Sequence, residues 1–115
     1  MIRSLSLAPA LLLVAACQTT PPEQTAVHPD AHALAQAACA GCHSVEPVGL
    51  SPNPDAPEWP VIANTPGLTR QSLTVWLTDA HAYPEEMDFY LEEDEVDMLV
   101  GYILSLRSED YHPPY

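Results

Sequence analysis

A chain of 115 residues with 47% apolar composition is sized for one small globular domain. Three basic residues, all arginine, stand against 16 carboxylates, a formal charge of −13. Such a surface repels phosphate backbones and anionic lipid headgroups, which argues against nucleic acid and leaves a basic protein as the natural complement.

At the N-terminus Arg3 supplies a short basic stretch, residues 5–16 an apolar run, and Val14-Ala15-Ala16 leads into Cys17. The run is too short to cross a bilayer, which takes about 20 apolar residues, and residues 1–16 read as an export signal. Small residues directly before a cysteine resemble the bacterial lipoprotein signal. That resemblance implies a diacylglycerol on the Cys17 sulfur, cleavage before it, and a chain held by lipid on the periplasmic side of a bacterial membrane, Gln18 favouring the outer one. An ordinary signal peptide with a cysteine nearby is the competing reading. Without residues 1–16, two arginines face 16 carboxylates, a charge of −14. Residues 17–29 are polar and carry Pro21 and Pro22, and they read as a flexible tether.

Pro29-Asp30 offers a cap for an alanine-rich helix over 31–40, with Leu34, Ala37 and Ala38 on one apolar face. It ends near Gly41, within Cys39-Ala40-Gly41-Cys42-His43. Two thiols at this spacing on a helix end can both add to the vinyl groups of one haem, and the adjacent histidine then lies under the iron. The pentapeptide therefore reads as a c-type haem attachment site, with Cys39 and Cys42 covalent and His43 an iron ligand. A dithiol redox pair would call for a βαβ pattern, and a zinc site for a second cysteine pair; the sequence offers neither. With Cys17 lipidated, every cysteine has a role without a disulfide.

Residues 44–66 contain Pro47, Pro52, Pro54, Pro57, Pro60 and Pro66, which excludes a long helix and predicts an extended loop packing inward through Trp59, Val61 and Ile62. A second helix is expected over 69–79, with Leu73, Trp76 and Leu77 at i, i+3 and i+4. A loop over 80–90 carries Pro84 and Met87. The last helix is expected over 92–107, with Val96, Leu99, Val100, Ile103 and Leu104 as its core stripe and an acidic first turn that suits the helix dipole. Residues 108–115 form a tail, and nothing reads as a strand or a repeat, so the fold is expected to be all-α.

In this order of parts, residues 30–107 resemble the class I c-type cytochromes, small folds of three to four short helices around one covalent haem c. The resemblance implies that a methionine sulfur from the late loop is the second iron ligand. Met87 holds that position, although Asp88 follows it where the family often has proline. Met98, inside the last helix, and His81, in the same loop as Met87, are the alternatives. It also implies a proline carbonyl, by position that of Pro57, accepting from His43, and a crossing of first and last helices in which Leu34 and the alanines face Gly101 and Tyr102. Trp59 and Trp76 are expected to line the haem pocket.

With both axial positions filled, the expected function is non-enzymatic: single electrons pass between redox proteins, with no small-molecule substrate. Nine acidic residues between Asp79 and Asp97 bracket Met87 and suggest a partner with a basic docking face. A haem sensor or ligand-binding module, and a haem subunit of a larger respiratory complex, are the competing functions.

Overall fold

Residues 27–80 and 90–113 are described by a computed structural model. The expectations placed on the signal segment, Cys17, His81, Pro84 and Met87 lie outside the described residues. Within them are four α-helices and no strand: α1 (Ala31–Ala38), α2 (Trp59–Ala63), α3 (Arg70–Val75) and α4 (Glu93–Ser105). None of the described helices is long and apolar enough to cross a membrane.

The longest helix, α4, is the centre of the small helical domain, and α1, α2 and α3 all pack on it. Its N-terminus is closed by a reciprocal cap: the Glu92 carboxylate accepts from the Glu95 backbone, and Glu95 Oε2 accepts from the Glu92 amide at 2.9 Å. Two of the clustered carboxylates thus satisfy amides that the first helical turn leaves without partners. Val96, Leu99, Val100 and Ile103 are buried as the period predicts. Tyr102 joins them, whereas Leu104 is only half-buried.

Two details of α1 correct the sequence reading. Its buried face is Ala31 and Ala35, one turn apart, with Leu34 half-buried; Ala37 and Ala38 are exposed. The contact with α4 is made by the early turns, and the last turn faces solvent as the chain leaves for the cysteine motif. Asp30 occupies the cap position without a side-chain cap bond, because its backbone is already helical (φ −88°, ψ −7°), whereas side-chain capping uses an extended residue. Its amide donates to His28 Nδ1 at 3.3 Å instead.

Within the proline-rich stretch, α2 is a short helix that the sequence reading did not anticipate. Pro60 falls in its first turn, where a missing N–H removes no helical hydrogen bond. Trp59 and Ala63 are buried, while Val61 and Ile62 are half-buried. In α3, Thr69 caps through its hydroxyl, which accepts from the Ser72 amide at 3.1 Å, and Ser72 Oγ accepts from the Thr69 amide at 3.0 Å. The helix then widens into a π-helical turn over Trp76–Ala80.

Gly101 does not serve a close crossing of α1 and α4. A Cβ there would meet only Arg70 Nη2, at an ordinary 3.7 Å. The small residues that permit the approach are on α1, at Ala31 and Ala35, both 0% exposed.

Candidate functional site

The cysteine motif coils off the C-terminal end of α1. The Cys39 amide closes the helix on Ala35 O at 2.9 Å, and the amides of Cys42 and His43 both return to Cys39 O, at 3.1 and 3.0 Å. One tight turn therefore leaves Cys39 half-buried, Cys42 exposed and His43 buried. Burial, and next the neighbouring Cys42, push the Cys39 thiol up to about 11.

Beyond the motif the chain is pinned to α2 at several points. The Trp59 amide donates to Ser44 O at 2.9 Å, and the Ser44 amide to Ser51 Oγ at 3.0 Å. The Asn53 amide donates to Cys42 O at 3.1 Å. The Ser51 amide donates to the buried Glu58 carboxylate at 3.3 Å. These bonds bring the Pro57 carbonyl to 2.7 Å from His43 Nδ1. A carbonyl oxygen only accepts, so Nδ1 carries the proton and the lone pair of the neutral ring resides on Nε2. A hydrogen bond of this kind to the far ring nitrogen fixes both tautomer and ring orientation for metal ligation.

His43 and Cys39 border a hollow whose other walls are Trp59, Ile62, Leu73, Trp76, Leu77, Leu91, Leu99 and Ile103. A second hollow shares Ile62, Leu73 and Trp76 with it and adds Pro57, Leu68 and Ser72. A third shares Leu77 and Leu91 with it and is partly polar, with Thr74, Thr78, Glu93 and Asp97 in its lining. The first is thus an apolar trough with the buried His43 imidazole and the Cys39 thiol on its wall, and Cys42 is exposed outside it. This donor set and lining fit a flat, hydrophobic, thioether-linked cofactor with a nitrogen-ligated metal. Among the described residues no group of three His, Cys, Asp or Glu side chains could hold a bare metal ion.

Of the residues singled out from sequence, the structure places Cys39, His43, Trp59 and Trp76 on the walls of this trough, with Pro57 hydrogen-bonded to His43 and Cys42 exposed nearby. Met98 is half-buried on α4 and packs against the core. Tyr102 and Glu58 were not anticipated as supports of the site. Tyr102 donates to Val45 O at 2.9 Å, and its ring is tilted against Trp59 at a centroid distance of 5.7 Å. The periodic stripe leaves Tyr102 out and names no partner 57 positions away, and no local pattern marks Glu58. Comparison with family models, curated proteins and solved structures finds no match.

Proposed function

We propose that this chain is a small monohaem c-type cytochrome that carries single electrons between redox proteins. The observation that carries this reading is the buried His43, its Nδ1 proton held by the Pro57 carbonyl at 2.7 Å, beside the Cys39 thiol on the wall of an apolar trough, with Cys42 exposed one helical turn on. In it Cys39 and Cys42 hold haem c as thioethers, His43 supplies one iron ligand through Nε2, and Met87 supplies the other. When bound, the haem supplies a one-electron couple whose potential depends on its axial ligands.

The protein residues orient and shield. Pro57 sets the imidazole plane and makes it a better donor, while Trp59, Leu73, Leu99 and Ile103 exclude water from the trough. With both iron positions filled by His43 and Met87, the bound haem would keep no open position for a substrate, which supports electron transfer and not turnover. Lipid on Cys17, at the end of the tether 17–29, anchors the domain on the periplasmic side of a bacterial membrane.

The test is the spectrum and extraction behaviour of the protein made in a host competent for cytochrome c maturation. Haem that stays with the polypeptide in acid acetone, is lost from the Cys39→Ala/Cys42→Ala double variant, and persists at reduced level in each single variant is the expected result. Haem extracted from the wild type, or retained by the double variant, would overturn the reading.

A further inference from the structure

Residues 47–54, Pro-Val-Gly-Leu-Ser-Pro-Asn-Pro, carry no charge in a chain where 17% of residues do. Val48 is 84% exposed and Leu50 76%. The segment is braced: Ser51 is held by Ser44 and Glu58, and the Asn53 amide is held by the Cys42 carbonyl at 3.1 Å. Between the two aliphatic residues Gly49 has φ +130° and a Cβ position only 3.3 Å from Ser44 Oγ, so a side chain there is both strained and crowded. Two large aliphatic side chains held out to water from a braced, uncharged loop form an apolar face that another molecule can cover.

We propose that residues 47–54 are the contact window for an electron-transfer protein whose own apolar patch is ringed by Lys and Arg. This rests on the cytochrome reading, because the window abuts Cys42, the exposed attachment thiol. Glu46 and Asp55 flank it on either side, so the window is apolar with acidic ends. Charge selects the occupant. Two copies of this chain, each strongly negative, repel, and anionic lipid is repelled likewise. Both arginines of the described residues are engaged inside the domain, Arg70 on Asp97 at 2.8 Å and Arg107 on the Ala63 carbonyl at 2.9 Å. Long-range attraction then governs encounter, and burial of Val48 and Leu50 governs how long the complex lasts.

The experiment uses the haem-loaded chain, its loading verified by spectrum, and a basic c-type cytochrome as the cationic probe. Affinity is measured by calorimetry, the contact face by amide shift mapping, and the second-order electron-transfer rate by stopped flow. Val48→Ser/Leu50→Ser is expected to weaken binding about tenfold, at low and high salt alike, with spectrum and potential unchanged. Val75→Ser, an exposed residue on α3, is expected to leave affinity unchanged. Shift changes are expected to gather on 47–54 and Cys42. Unaltered affinity in the double variant, or shifts confined to 92–97, would overturn the window alone. Self-association, or binding to zwitterionic vesicles, that disappears in the double variant would also overturn it, in favour of a second copy or a lipid surface. Absence of a haem spectrum would overturn the cytochrome reading beneath it.

Discussion

The hydroxyl of Tyr102 donates to the carbonyl of Val45 at 2.9 Å, tying the last turn of α4 to the chain two residues beyond His43. The same ring meets His32 edge-on at 5.5 Å and leans on Trp59 at 5.7 Å, so one side chain touches α1, α2 and the loop after the motif. Tyr102→Phe keeps the ring contacts and removes only the donor. Leaving a buried acceptor without its partner costs about 1–3 kcal/mol, and urea denaturation should show a midpoint lowered accordingly. Burial, and next the charge of Glu46, raise the Tyr102 phenol above its ordinary value. Its contribution is therefore complete below the unfolded pKa and is lost as pH rises through the folded one. Wild type should lose more stability than Tyr102→Phe between neutral pH and pH above about 10.

The local part of this site is legible in sequence because its chemistry is local. Cys39, Cys42 and His43 are fixed by spacing, and Val96, Leu99, Val100 and Ile103 by a 3.6-residue period. The long-range part is hidden. Pro60 disguises α2, since proline is read as a breaker although the first helical turn accepts it. Ala31 and Ala35 differ from Ala37 and Ala38 only in what α4 covers, and identical side chains give pattern nothing to distinguish. No local pattern marks Arg107, yet its guanidinium binds carbonyls more than 38 positions earlier.

That arginine is a clamp. Nε donates to Ala63 O at 2.9 Å, at the end of α2, and Nη2 donates to Leu68 O just ahead of α3. Beside it, Asn64 accepts from the Ser108 amide at 3.0 Å. Arg107→Met removes both guanidinium bonds while keeping much of the apolar stem. Solvent reaches the freed carbonyls in part, so the expected loss is about 1–2 kcal/mol in chemical denaturation. Arg107→Lys, with a point charge in place of a fork, should recover only a fraction of it.

Across α1, Glu46 accepts from His32 Nε2 at 2.7 Å and also from Gln36 Nε2. The hydrogen bond from His32 is the main cause that holds its carboxyl below the ordinary value; the little burial it has opposes this. A depressed folded pKa means that the contribution is present above the unfolded pKa and lost as pH falls through the folded one. Glu46→Gln should therefore lose less stability than wild type between pH 7 and about pH 3, measured by thermal melts at both. The pair is open to solvent, so the difference between the two proteins should shrink as salt is added.

On the cytochrome reading, Met87 and Met98 are the two candidate sulfur ligands of the iron, Met1 lying in the segment read as a signal. Met98 is half-buried and packed against the core from within α4, where a thioether fills space beside the stripe of Leu99 and Tyr102. Met98→Leu conserves volume and should cost less than about 1.5 kcal/mol, with the sulfur-to-ferric-iron absorption band intact. Met87→Leu should abolish that band. Met87→His should lower the reduction potential by a sizeable part of the roughly 0.8 V that axial ligands span, because imidazole stabilises ferric iron better than a thioether does. Redox titration of the variants with their oxidised spectra decides between the sulfurs. Loss of the band in Met98→Leu, with Met87→Leu unaffected, would move the ligand onto α4 and require that helix to turn a core side chain into the trough.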